Sequence, residues 1–565
     1  MLKFKDYEYK RPEYEQVKTE FTALLEAFRN AKSMKDQEQI ILKINQLRDD
    51  ISTQGNLAFI RASIDTKDAF YENERNYFDE TGPQFSELNT LFYKELVTSP
   101  YRGELEKKWG SQFFSLADYT IKSFSPEIIP LLQEENRLSS EYSKLIASAE
   151  IEFEGETLTL AQIDPYTEST DRQVREKAVK AKFNFFSENE SAFDEIYDKL
   201  VKTRHQIALK LGFKNFVEVG YLRMLRVDYD AEQVDKFREQ VRQYVVPLAT
   251  KLRERQKERI GVAELKFWDE SLEFLTGNAN PKGGPDWIIQ KGKQMYQELS
   301  DETNEFFTFM NERELMDLEA KKGKEAGGYC TFIENYEAPF IFSNFNGTSA
   351  DIDVLTHEAG HAFQVYMSRS TDIPEYIWPT HEAAEIHSMS MEFLTWPWME
   401  NFFEEETEKY KFSHLSSGIL FLPYGVAVDE FQHRIYENPD MSPSERKAVW
   451  KELEAIYLPH RDYGDHNYLN SGGVWQRQGH IYEVPFYYID YTLAQICAFQ
   501  FWEKSTEDFD VAWKDYVHLC TLGGSKSFTE LLKEANLKSP FEEGSLKSVV
   551  NKIENWLNRV DDKVL

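Results

Sequence analysis

Cysteine is scarce in this chain: Cys330, Cys497 and Cys520 are the only three in 565 residues. They form no C-x-x-C pair and their number is odd, which argues against a disulfide framework or a cysteine-built zinc site and predicts a reducing, cytoplasmic setting. Basic charge is also thin, 66 Lys and Arg against 98 Asp and Glu, for a net charge of −32. A nucleic-acid partner would want a basic patch and none is apparent, so the negative excess is read as an aid to solubility. Long hydrophobic runs are missing as well. The most apolar stretch, residues 418–428, is interrupted by Pro423 and Gly425, and the opening MLKFKDYEYKRPEYEQ has no apolar signal-peptide core. Neither a membrane segment nor a leader is expected, and no fixed-period repeat or low-complexity tract is present.

What is there reads mainly as helix. Residues 13–147 carry repeated amphipathic stretches, as in Val17, Phe21, Leu24, Leu25 and Phe28, with charged faces between. A hairpin is predicted over 151–160, with Gly155 at its middle, and short strands over 327–332 and 339–345. Trp268 and the 277–285 stretch mark an irregular segment.

The densest chemical signal is His357-Glu358-Ala359-Gly360-His361. H-E-x-x-H on a helix places two imidazoles one turn apart on one face, where both reach a single zinc ion, with a carboxylate beside them. The flanks fit a helix. Ser349 is a cap residue, Asp351 and Asp353 are early-turn acids, and Ile352, Leu355, Ala359, Ala362, Phe363 and Tyr366 recur at helical spacing to about Met367. His357, His361 and Gln364 form a polar stripe beside that apolar face, as in a helix lining a cleft.

Catalytic zinc usually has three protein ligands and one open position. The continuation H-x-x-G-x-x-H is excluded, because Gln364 and Met367 stand where its glycine and third histidine would be. After a break at 368–379 a second helical stretch, 381–392, puts His381, Glu385, Ser388 and Glu392 on one face, able to fold back against the histidines. Glu385 is the preferred third ligand, with Glu382 and Glu392 as rivals.

At this point the chain resembles the zinc oligopeptidases that include thimet oligopeptidase and oligoendopeptidase F, with Pz-peptidase-type bacterial enzymes nearest in size. The resemblance rests on HEAGH, on the AEIHS stretch around Glu385, on GHIYEVPFYYIDY at 479–491, and more weakly on DRQVREKA at 171–178. It covers roughly 165–555 and implies an N-terminal helical region over 1–164 and a catalytic region over 165–565. The implied fold is mainly α, with a zincin-type core in a large helical body around a deep channel and a small β-sheet beside the metal helix. A glutamate in an E-x-x-S setting is the family's third ligand, which favours Glu385 over its rivals.

The resemblance implies one zinc ion per chain and a metalloendopeptidase acting on short oligopeptides. Zinc lowers the pKa of a bound water to near 7, and Glu358 is placed to take its proton and pass it to the leaving amine. The oxyanion needs further donors, and ten of the eleven histidines lie beyond residue 356, with a tyrosine-rich segment among them. His480, Tyr487, Tyr488 and Tyr491 are the candidates, His480 and Tyr491 foremost, because relatives use a histidine and tyrosines of the matching segment. The strands at 327–345 are candidates for peptide pairing, and 470–473 has the composition of a mobile loop. Two other readings are a helical zinc carboxypeptidase and a noncatalytic peptide-binding scaffold with a structural zinc; the latter would be marked by loss of Glu358, which is present.

Overall fold

A computed structural model describes residues 2–565. The first helices follow the predicted periodicity. Helix Tyr14–Asn30 buries Val17, Phe21, Leu25 and Phe28, spaced to make one apolar stripe, while Leu24 is only partly covered. Helices Met34–Ile64 and Ala69–Val97 are N-capped by Ser33 and Asp68, whose side chains accept from backbone N–H groups of the first turn. Their apolar faces form a core that also takes in Ile373 and Tyr376, far along the chain. The Tyr376 hydroxyl donates to Trp109 O at 2.6 Å and accepts from Phe113 N at 3.0 Å, and Arg48 pairs with Glu375 at 2.6 Å. The N-terminal helices thereby grip the loop that joins the two HEAGH-region helices.

Strands are few. The predicted hairpin is β1 (Ile151–Phe153) with β2 (Glu156–Leu158), turning through Glu154 and Gly155, both at positive φ as a tight hairpin turn requires. A second sheet contains β3 (Met316–Glu319), β4 (Tyr329–Ile333) and β5 (Ala338–Phe345) in the order β3-β5-β4. β4 and β5 are the antiparallel pair expected from sequence; β3, parallel to β5, was not expected, since Met-Asp-Leu-Glu carries no strand signature. β4 is an edge strand. Its far end is closed by Asn56, which donates to Phe332 O at 2.7 Å, and by Thr53, which accepts from Asn335 N at 2.9 Å.

Two helices carry the HEAGH region and its partner, Ala350–Ser368 and His381–Leu394. The first starts differently from expectation: Ser349 makes no side-chain cap, and Asp351 instead reaches back to accept from Asn346 N at 2.9 Å and Gly347 N at 2.8 Å. Gly360 lets the two helices touch. A Cβ there would stand 2.6 Å from His387 O and 2.7 Å from Ser388 Cα, both backbone atoms that cannot swing aside. Gly360→Ala is therefore expected to force the pair apart, lowering stability by about 1–3 kcal/mol or more and weakening metal binding with it. Denaturant unfolding and zinc titration of the variant check both, and unchanged values for the two would refute this role.

Candidate active site

His357 and His361 stand one turn apart and face Glu385 on the neighbouring helix. Glu385 Oε2 is 3.2 Å from His357 Nε2 and 3.3 Å from His361 Nε2, and one ligand atom from each residue lies within 4.8 Å of the others. Ligands bound at zinc-like lengths on a tetrahedron stand roughly 3.3 Å apart. The donor set and the two edges that meet at Glu385 thus fit a zinc ion. The electrostatics agree: burial disfavours a charged His357, yet bonding to Glu385 and Glu392 holds its pKa well above the ordinary value, so the carboxylates demand positive charge here.

The rivals for third ligand lie elsewhere. Glu382 points to the other side of its helix, accepting from Thr380 Oγ1 at 3.0 Å in a buried cluster with Arg226 and Asp490. Glu392 sits behind His357: its Oε1 meets His357 Nδ1 at 2.7 Å and its Oε2 meets His414 Nε2 at 2.8 Å. Trp396 Nε1, a donor only, gives its proton to His414 Nδ1 at 3.0 Å, which leaves His414 Nε2–H to bond Glu392. Glu392 in turn accepts His357 Nδ1–H and frees Nε2 to face the cluster, the arrangement that orients a ligating histidine. Glu392→Gln is expected to weaken zinc binding about 10–100-fold without abolishing it. Competition with a coloured chelator measures this, and a loss as complete as that of Glu385→Ala would show that Glu392 is itself a ligand.

Glu358 is 6% exposed, and its Oε2 is buried with no hydrogen-bond partner. Such an atom is costly unless something arrives to bond it. Burial lifts its carboxyl above the usual range, against the pull of His357 and His361. Gly328, just before β4, lies beside it: a Cβ there would stand 3.4 Å from Glu358 Oε1, in ordinary contact. Glu385 is held from two further directions, by Ser388 Oγ at 2.9 Å on Oε2 and by the Tyr487 hydroxyl on Oε1.

The structure brings the predicted donors together on this side of the cavity. His480 Nε2 is 3.1 Å from the Tyr491 hydroxyl, and the rings of Tyr487 and Tyr488 both flank His480. Their commitments differ. Tyr487 gives its proton to Glu385, whereas Tyr488 borders a side pocket of about 370 Å³ with Phe421, Met389 and Tyr491. Burial lowers His480 to about 4, so it is neutral near pH 7, and burial raises Tyr491 well above 10, so it keeps its proton.

Above the site lies a cavity of about 1080 Å³. One wall is N-terminal, with Phe59, Phe78 and Tyr142; the other holds Gly328 and Cys330 of the β4 region, His381 and His480. Two expectations change. Gln364 does not line the cleft: it is fully buried and its Nε2 donates to Ser368 Oγ and Ile377 O. The 470–473 segment is no open loop, because Gly472 and Gly473 are buried and Tyr468 donates to Gly473 O at 2.6 Å. Sequence reasoning missed His414 and Gln478. A lone histidine on a long helix and a glutamine beside a histidine carry no spacing signal.

This helical body, with a His-His-Glu cluster beside a large cavity, has the make-up of a metallopeptidase. The chain belongs to peptidase family M3, whose family model matches residues 165–276 and 290–550, with the Peptidase M3 N-terminal domain matching 4–124. M3 peptidases are zinc metallopeptidases. A solved structure of PZ peptidase A with an inhibitor is 60% identical, with a TM-score of 0.99 over 99% of this chain and 100% of that one. Another, provisionally named oligoendopeptidase F, is also 60% identical, with a TM-score of 1.00 and both chains covered 100%. An oligoendopeptidase F homolog of Borreliella burgdorferi is 22% identical over 421 residues, 70% of this chain and 69% of the relative. Among the described residues no helix is long and apolar enough to cross a membrane.

Proposed function

We propose that this chain is a zinc-dependent oligoendopeptidase that hydrolyses internal bonds of short peptides, with His357, His361 and Glu385 as zinc ligands. The observation that carries this reading is the unsatisfied, buried Glu358 Oε2 beside a ligand set of zinc dimensions, next to a large cavity that His381 and His480 line. Zinc bound there would supply a water of pKa near 7 and polarise the scissile carbonyl. Glu358 takes the water proton and returns it to the leaving amine. Tyr491 donates to the substrate oxyanion as it forms, and His480 holds Tyr491 in place. Tyr487 steadies Glu385, and Tyr488 borders the side pocket next to His480.

The free edge of β4 offers backbone pairing to an extended peptide whatever its sequence. Folded proteins are too bulky for a cavity roofed by the N-terminal helices. The same reading takes residues 1–164 as that roof and 165–565 as the catalytic region, and places the enzyme in a reducing cytoplasm, where Cys330, Cys497 and Cys520 stay free thiols.

Digestion of a mixed peptide library with and without chelator, read by mass spectrometry, tests the reading. Internal, chelator-sensitive cuts are expected in peptides of roughly 5 to 20 residues, the length an extended chain could thread through a domain-sized cavity. Release of C-terminal residues only would indicate a carboxypeptidase, no cleavage a binding scaffold, and efficient cutting of a folded protein would remove the roofed-cavity argument.

A further inference from the structure

Gln478 lies against the Nδ1 side of His480. Its Nε2 is 2.8 Å from His480 Nδ1, while its Oε1 accepts from the Tyr424 hydroxyl at 3.0 Å. The orientation of the amide is fixed from behind. The Arg477 guanidinium lies over the Tyr424 ring, 5.6 Å from its centre, and packs that ring in place. The Tyr424 hydroxyl gives its proton to Gln478 Oε1, which leaves the NH2 on the other side of the amide. The Gln478 NH2 then faces His480 Nδ1, which must be an acceptor.

A neutral imidazole has one proton, and with Nδ1 accepting, that proton is on Nε2. His480 Nε2–H therefore donates to the Tyr491 oxygen across the 3.1 Å contact. The Tyr491 hydroxyl, having received that hydrogen bond, keeps its own proton to donate. Its close neighbour Tyr487 already gives its own proton to Glu385, so it cannot compete for the oxyanion. The opposite amide orientation would put the imidazole proton on Nδ1, draw the Tyr491 proton onto His480 Nε2, and leave the oxyanion without this donor.

We propose that Gln478 is a positioning residue that sets the His480 tautomer through Nδ1 and thereby points the Tyr491 proton at the substrate. This rests on the role of Tyr491 proposed above, but the tautomer can be read without it. In the zinc-loaded enzyme labelled with 15N-histidine, at pH 7, His480, assigned by the signal lost in His480→Ala, is expected to be the Nε2–H tautomer. An Nδ1–H tautomer or an imidazolium would overturn the proposal.

Kinetics supply the second arm. Gln478→Met keeps the side-chain length without the amide, and is expected to lower kcat about tenfold with KM within about twofold. Adding Tyr491→Phe to Gln478→Met is expected to cost much less than Tyr491→Phe costs alone, because both act through one hydrogen bond. Full additivity of the two losses would also overturn the proposal. If Tyr491→Phe alone left kcat unchanged, the oxyanion role would fall, while the NMR result would still decide the tautomer.

Discussion

Alanine at His357, His361 or Glu385 is expected to strip the zinc and abolish peptidase activity, whereas Glu358→Gln is expected to keep the zinc and lose activity by about 10²–10⁴-fold. The separation follows from which atoms converge. Glu385 Oε2 lies 3.2 and 3.3 Å from the two Nε2 atoms, while Glu358 offers a buried oxygen with no partner. An amide in place of the Glu358 carboxylate keeps its shape and still fills the space, but it cannot hold a proton in transit. Each removed ligand, by contrast, leaves two donors where catalytic zinc normally has three.

Metal content by elemental analysis, alongside kcat/KM on an internally quenched peptide, checks both halves. Full zinc and activity in Glu385→Ala would discard the third ligand. A Glu358→Gln enzyme of normal activity would move proton transfer to another group.

How much of this was legible beforehand depended on whether a feature is local in the chain. The HEAGH helix and the stretch holding Glu385 announce themselves, because a helix repeats its neighbours every three or four residues and the chemistry rides on that period. Gly360 was in plain view as part of the motif, but its reason was not: it lies across from the backbone at His387 and Ser388, a contact between helices that no single-chain period encodes. Glu392 read as a rival ligand since it shares a face with Glu385; only the position of His414, on a helix that begins at Thr407, assigns it to the back of His357.

β3 was invisible for a related cause. A four-residue strand pairs with β5 through its backbone, and its side chains carry little of the burial that writes alternation into a sequence. The apparent looseness of 470–473 misled in the other direction. Its glycines are there because Lys447 O and the Tyr468 ring come within 2.3 and 2.4 Å of where their Cβ atoms would be, so small residues mark close packing and not freedom.

Tyr491→Phe is expected to retain zinc and nearly the same KM while lowering kcat by about 10²–10³-fold. Only the hydroxyl is removed, and the ring that packs against Tyr487 and Tyr488 remains, so folding and the shape of the cavity should survive. A hydroxyl donor gains most from the charge that develops on the carbonyl oxygen and little from the neutral ground-state carbonyl, which puts its effect on kcat. Tyr487→Phe makes a telling contrast. Its proton belongs to Glu385, so its loss should register first in zinc affinity and only secondarily in kcat. Tyr488, which borders the side pocket, should respond through KM for substrates that reach that pocket. An unchanged kcat in Tyr491→Phe, with a large loss in Tyr487→Phe at full zinc occupancy, would reassign the oxyanion donor to Tyr487.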